Sequence, residues 1–306
     1  MPNPLVSKIN KKDKVALSHS ITIIENRLSG YQDILSSIYP LRKNVQKIGI
    51  TGPPGAGKST ITNKLCERYL KKNKKVAIIC VDPTSPFNGG AILGDRIRMK
   101  DIYMSNDIFI RSIASRGNPG GLADCISDIG ILLEGFGFDL IIYETVGVGQ
   151  IELDVVNHCD SIVLVITPES GDDIQMMKAG LIECANIIAI NKSDRPGSSK
   201  LHAFLNQYLE IGDRKEWISV LALSATKNKG IDLLEREIEK HYKFLLDSNM
   251  KIEKDNERYR KKILEIARKY LLENFLDEGK KSLIEAEILK NANLRLSPYK
   301  LFQKIK

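Results

Sequence analysis

Histidine is scarce in this 306-residue chain: four residues, at positions 19, 158, 202 and 241, lie far apart. Neither a zinc site nor a His-rich metal store is visible in that spacing. Cysteine is nearly as sparse. Cys66, Cys80, Cys125, Cys159 and Cys184 form no C-x-x-C pair. They are expected to be reduced, mostly buried thiols of a cytoplasmic protein rather than disulfides or metal ligands. No apolar run approaches the roughly 18 residues that a membrane span needs. The opening residues, MPNPLVSKINKKDK, lack an apolar h-region, so no secretory signal is expected. Internal repeats and low-complexity tracts are lacking too.

What remains is ordinary for a soluble globular protein: 42% apolar and 27% charged residues. The length suits about two domains of roughly 150 residues, or one domain with helical additions. The net charge of +8 is uneven. Residues 251–306 carry 15 Lys+Arg and 9 Asp+Glu, which places +6 there. A basic segment can bind nucleic acid. Here acidic residues alternate with basic ones, and Leu, Ile and Tyr recur at helical spacing. A solvated helical face is the better reading, and nucleic acid is not an expected partner.

The hydrophobic rhythm divides the chain. Leu17, Ile21, Ile24 and Leu28 mark one face of a helix that Gly30 ends, and a short helix over 31–38 stops at Pro40. Short apolar runs then follow: KIGIT (47–51), KVAIICVD (75–82), DIFIRSI (107–113), FDLIIYE (138–144), DSIVLVIT (160–167), NIIAIN (186–191) and WISVLALSA (217–225). Most are apolar at nearly every position, the pattern of strands buried on both faces of a parallel sheet. Helical segments between them predict a doubly wound α/β domain over about 45–245. Residues 1–44 form a helical extension and 246–306 a helical arm. In that arm Ile263, Ala267, Tyr270 and Leu271 form a stripe, Gly279 breaks the helix, a second helix lies near 281–292, and a last turn follows Pro298.

Gly52-Pro53-Pro54-Gly55-Ala56-Gly57-Lys58-Ser59 fits G-x-x-x-x-G-K-[ST], between a strand and a helix that begins STITNKLCERYL. That context makes it a phosphate loop rather than a chance glycine-rich turn. Its glycines let backbone N–H groups converge on phosphate oxygens. Lys58 is expected to bridge the β- and γ-phosphates, and the Ser59 hydroxyl to coordinate Mg²⁺. Thr60 completes the motif.

The base is expected at Asn191-Lys192-Ser193-Asp194, which follows the strand NIIAI. A carboxylate at Asp194 can accept from guanine N1–H and its exocyclic amine. Adenine offers no such pair, so an unpaired carboxylate would penalise it. Lys192 can lay its stem along the base. In LSAT (223–226) the Ser224-Ala225 backbone can meet the guanine carbonyl, with Thr226 closing the motif. N-K-x-D alone is often a plain surface turn. With the phosphate loop upstream and LSAT downstream it predicts GTP over ATP.

The γ-phosphate is expected near ETVGVGQ (144–150). Ras-like GTPases have D-x-x-G-Q there, in which Asp holds Mg²⁺, the Gly amide touches the γ-phosphate and Gln positions water. Here Glu144 replaces Asp, Gly147 is kept, Val148 takes the Gln position and Gln150 is displaced. Water positioning must come from elsewhere or from a partner. Asp82, at a strand end, and Asp95, followed by Arg96 and Arg98, are candidates. The simpler readings are that Asp82-Pro83 starts a turn and Asp95 caps a helix.

With these motifs the sequence resembles the MeaB/ArgK-type GTPases, G-protein chaperones of methylmalonyl-CoA mutase and related adenosylcobalamin-dependent mutases. The likeness rests on GPPGAGKST (52–60), VDPTSP (81–86), ILGDRIRM (92–99), SRGNPGGLA (115–123), ETVGVGQ, SGDDIQMMKAG (170–180) and NKSD. It extends to DKVALSHSITIIENR (13–27) and LSPYKLFQKI (296–305). It implies a SIMIBI-like P-loop NTPase, a mostly parallel sheet with N- and C-terminal helical extensions. It also implies a homodimer built by the C-terminal arm, Mg²⁺ with GTP or GDP, and a mutase client. Lys58, Asp82, Asp95 and Glu144 would serve hydrolysis, and Ser59, Asp82, Asp95 and Glu144 the metal. The loop from Ser170 to Lys178 would pass nucleotide state to the client. Ile151, TPESGDD (167–173) and the basic arm depart from the family pattern near partner-facing surfaces.

Three other classes make different demands on the sequence. A metal-insertion GTPase needs a Cys/His site that the spacing does not supply. A kinase of transport-related substrates needs an acceptor-activating Asp or His beyond the hydrolytic set. A nucleic-acid binder would use the basic arm. The base assignment has a direct test. Asp194→Asn is expected to weaken GTP binding and favour xanthosine triphosphate, and unchanged nucleotide preference in a competition assay would refute it.

Overall fold

The computed structural model describes residues 4–82, 105–114, 121–145, 155, 157–169, 181–211, 217–291 and 294–306. The chain divides into two compact units, Met1–Lys251 and Ile252–Lys306.

The first unit opens with three helices, α1 (Pro4–Asn10), α2 (Lys14–Glu25) and α3 (Tyr31–Ile38). The Asp13 carboxylate caps α2 by accepting from the Val15 and Ala16 amides at 2.8 and 3.1 Å. Leu17, Ile21 and Ile24 are fully buried along one face of α2. Leu28 is not on that face. The helix ends at Glu25, Arg27 turns into the left-handed region at φ 51°, and Leu28 is half exposed.

The sheet follows: β1 (Gln46–Thr51), α4 (Lys58–Lys71), β2 (Val76–Asp82), β3 (Ile108–Ala114), α5 (Gly121–Phe136), β4 (Leu140–Thr145), β5 (Ser161–Ile166), α6 (Leu181–Cys184), β6 (Ile187–Ile190), α7 (Ser198–Ile211), β7 (Ser219–Ala222) and α8 (Ile231–Asp247). The seven strands stand in the order β3-β2-β4-β1-β5-β6-β7, and every pairing is parallel. All seven apolar runs of the sequence are strands. Every residue of β4, β5 and β6 is buried, which is why those runs read as continuous rather than alternating. Edge strand β7 is only partly covered.

Successive residues face opposite sides of the sheet. Ile141 and Tyr143 join the core formed with α2, α3 and α5. Ile142, Val163 and Val165 join the core under α4 and α8. Leu164, Ile166, Ile188 and Ile190 pack with Leu181, Leu201 and Leu205. The N-terminal helices therefore share a core with the sheet. Ion pairs reinforce that seam: Arg111 of β3 reaches Glu25 at 3.1 Å, and Arg27 pairs with buried Asp128 of α5. β1 lies between β4 and β5, and the chain changes sides of β1 when it passes from β4 to β5. Ligands of open α/β sheets bind at the carboxyl ends of strands at such a switch point.

Helix α9 (Met250–Phe275) begins in the first unit, where buried Lys251 lies 3.6 Å from Asp160. The second unit comprises the rest of α9, α10 (Glu278–Ile288) and α11 (Pro298–Ile305). Gly279 is not the break; it lies inside α10. The break comes earlier, where Asp277 caps α10 by accepting from the Lys280 amide at 2.8 Å. Phe275 and Phe302 approach to 5.8 Å between ring centres. Ile263, Tyr270 and Leu271 of α9 are exposed.

Truncating the α2 face tests whether the N-terminal helices belong to the cooperative core. Leu17→Ala is expected to cost about 2–5 kcal/mol, read from urea unfolding of the whole chain as a lower midpoint.

Candidate nucleotide site

At the carboxyl end of β1 the chain leaves Thr51 and turns through residues 52–57 before α4 starts at Lys58. Gly52 has φ 139°, and a Cβ there would strike the carbonyl of Val165 in β5. The loop is thus seated directly on the neighbouring strand. Gly57, at φ 94°, enters the helix against the Asn191 amide, where a Cβ would collide. Ala56 is buried beneath the turn, whereas Pro54 and Gly55 are exposed at its tip.

Lys58 is nearly buried and spans this loop. Its ammonium donates to the carbonyls of Gly52 at 2.6 Å and Pro53 at 3.0 Å. One residue on, the Ser59 hydroxyl donates to Glu144 Oε1 at 2.5 Å. Glu144 is buried near the end of β4, opposite Ile50 in β1. The parallel register thereby sets a carboxylate beside the first turn of α4. Thr145 donates to Thr51 across the same strands at 3.0 Å. Burial, with the Glu144 charge nearby, pushes the Cys66 thiol up and keeps it protonated. Thr60 follows in α4, half-buried.

The second half of the site follows β6. Asn191 is buried, and its side chain joins two loops. Its amide nitrogen donates to the Ala56 carbonyl at 2.7 Å, and its oxygen accepts from the Ala225 amide at 3.1 Å. Lys192 takes the left-handed conformation at φ 57°. The Ser193 amide then donates to the Leu223 carbonyl at 3.0 Å. Asp194 faces the same loop: Ser224 donates to its Oδ1 at 2.7 Å, and Lys227 lies 2.9 Å from Oδ2. The Lys227 ammonium, followed by the Ser224 hydroxyl, holds the Asp194 carboxyl down to about 2. It is therefore a charged acceptor throughout the neutral range. Ser224 and Ala225 are buried, and Thr226 is exposed in the turn beyond.

Lys58, Ser59 and Glu144 thus meet at one end of the sheet, and Asn191 links that phosphate loop to the turn holding Ser224 and Ala225. Asp82 ends β2, two strands from β1; its side chain lies outside the described residues, as do Asp95, Gly147 and the loop from Ser170 to Lys178. Lys227 was not among the residues expected from sequence, and neither were the two hydrogen bonds of the Asn191 side chain. Lys227 stands in a Lys-Asn-Lys turn that reads as surface.

Residues 17–280 match the model of a family described as methylmalonyl Co-A mutase-associated GTPase MeaB. This chain belongs to the MeaB family. It is 44% identical over 269 residues to a Pyrococcus abyssi protein assigned provisionally as a GTPase, covering 86% of this chain and 83% of that protein. GTPase ArgK of Escherichia coli is 37% identical over 237 residues, 74% of this chain and 72% of that protein. A fused isobutyryl-CoA mutase of Geobacillus kaustophilus is 37% identical over 203 residues, 63% of this chain and 19% of that longer protein. Among solved structures, a LAO/AO transport system kinase superposes with TM-score 0.73 at 25% identity, over 98% of this chain and 95% of that one. Membership of this family of GTPases agrees with the geometry of the phosphate loop.

Removing the Asn191 amide leaves the buried Ala56 carbonyl and Ala225 amide without their partner. Asn191→Ala is expected to cost about 1–3 kcal/mol of stability, seen as a lower melting temperature. Nucleotide affinity should fall with it, since both loops lose their common anchor. Unchanged binding of GDP would contradict that link.

Proposed function

We propose that this chain is a Mg²⁺-dependent GTPase, hydrolysing GTP to GDP and phosphate, that serves as a chaperone for an adenosylcobalamin-dependent mutase of the methylmalonyl-CoA type. GTP hydrolysis would gate the loading or protection of the mutase cofactor. The observation that carries the nucleotide part is the Asn191 bridge. It joins the phosphate loop to the turn of Ser224 and Ala225, and Ser224 in turn donates to the charged Asp194. The client is supported by the family description and by the relative in which a homologous stretch is part of an isobutyryl-CoA mutase.

In this reading backbone amides of residues 52–59 and the Lys58 ammonium hold the β- and γ-phosphates, and Asp194 with Ser224 and Ala225 selects guanine, with Lys192 along the base. Ser59 and Glu144 offer hard oxygen donors 2.5 Å apart, a donor set that suits Mg²⁺. Asp82 and Asp95 would complete that set, and Gly147 would meet the γ-phosphate, as the family likeness implies. Mg²⁺, when bound, neutralises charge on the transferring phosphate. Without a glutamine next to Gly147, basal turnover should be slow and a client could complete the water-positioning set. The segment beginning at Ser170 would then carry the nucleotide state outward. The exposed apolar residues of α9 support the C-terminal arm as the contact of a cytoplasmic homodimer.

A second reading, a kinase, is favoured only by the description of the structural neighbour. One assay separates the two. Purified chain is incubated with GTP, with and without the adenosylcobalamin-dependent mutase of the same organism. Slow release of free phosphate that accelerates with the mutase is expected. Phosphate transferred to a small molecule would replace this proposal with the kinase. A GTP-specific rate indifferent to the mutase would remove the client and leave the GTPase. Glu144→Gln should lower turnover and Mg²⁺ affinity together, the affinity read in a Mg²⁺ titration.

A further inference from the structure

We infer that Lys227 competes with the guanine base for Asp194 and so limits how tightly this chain holds guanine nucleotides. The inference rests on the guanine reading of Asp194 given above. The Lys227 ammonium lies 2.9 Å from Asp194 Oδ2, while Ser224 donates to Oδ1 at 2.7 Å. Guanine brings two further donors, N1–H and its exocyclic amine, to the same carboxylate. An ammonium can only donate. A carboxylate has about four acceptor positions, which Ser224, Lys227 and the two base donors would together fill, so Lys227 and the base edge crowd one carboxylate.

The position of Lys227 is fixed by its turn. The Asn228 amide donates to the Ala225 carbonyl at 3.1 Å, and Ser224 and Lys229 exchange backbone hydrogen bonds at 3.0 Å on both sides. Asn228 takes φ 52°, which closes the turn. The lysine backbone is thus held next to the Ser224 and Ala225 backbone, and its side chain has a short reach to the carboxylate. The adjacent cation, Arg195, is directed elsewhere, onto Glu169. Lys227 is the cation that the observed geometry sets on Asp194. An ammonium on Oδ2 also draws charge from the carboxylate and makes it a weaker acceptor for the base. Both effects work against guanine.

The pair is exposed, with the lysine side chain 55% accessible, so its strength is modest and screened by salt. Removing the charge should tighten nucleotide binding about two- to fivefold, the range exposed ion pairs allow. The experiment uses the full chain and measures GDP affinity and release with a fluorescent GDP analogue. Lys227→Gln keeps most of the stem and removes the charge. It is expected to bind GDP about two- to fivefold more tightly at low salt, through slower release, with the gain shrinking at high salt. Lys227→Arg should retain the native affinity. The gain should vanish when Lys227→Gln is combined with Asp194→Asn, an outcome that a general change in folding would not produce. Unchanged or weaker GDP binding by Lys227→Gln, in a protein whose native form prefers GDP to ADP, would overturn the inference and leave the guanine reading intact. A native protein that binds ADP as well as GDP would overturn both.

Discussion

A single buried amide ties the candidate site together. Asn191 leaves the end of β6, donates to the phosphate loop at Ala56 and accepts from Ala225 beyond β7. Both partners are backbone groups that water does not reach, so each would otherwise carry a desolvation cost. The side chain is held in place because β6, buried at every residue, has no freedom to shift its register. Gly57 permits the approach, since any side chain there would meet the same amide. The geometry of two loops, far apart in sequence, is thus decided by one hydrogen-bonding group on one rigid strand.

Around that anchor the charges are arranged in two separate groups. Near α4, Ser59 and buried Glu144 form a compact oxygen-rich pair, and Lys58 reaches back across its loop. Near β7, Asp194 lies exposed enough to meet a ligand, and Lys227 and Ser224 lower its pKa further below the neutral range. In the proposed reading the first group would hold a metal and phosphate, and the second a base with donors on its edge. Both groups follow strands of the one parallel sheet, Glu144 near the end of β4 and Asp194 beyond β6.

Much of the fold was legible in the sequence. The seven apolar runs are the seven strands because a parallel sheet covered on both faces demands apolar side chains at nearly every position. The phosphate loop was legible because its glycines and lysine have few other uses between a strand and a helix. Helix ends were less so. Leu28 continues the α2 periodicity but lies past its end, because Arg27 adopts a left-handed conformation that periodicity does not encode. Gly279 looks like a break, yet the nearby Asp277 supplies a cap and Gly279 falls inside the following helix.

By itself the sequence determined the α/β class, the strand set and the phosphate loop, and it pointed to Glu144 and Asp194, because these depend on local pattern and on residue chemistry. Only the tertiary structure decided the strand order, the pairing of Ser59 with Glu144, the double role of Asn191, the seam between Arg111 and Glu25, and the contact of Lys227 with Asp194. Each of these joins side chains whose distance is set by how strands and helices stack. No local pattern carries that information, since the same residues at the same spacing would meet different partners on a sheet of different order.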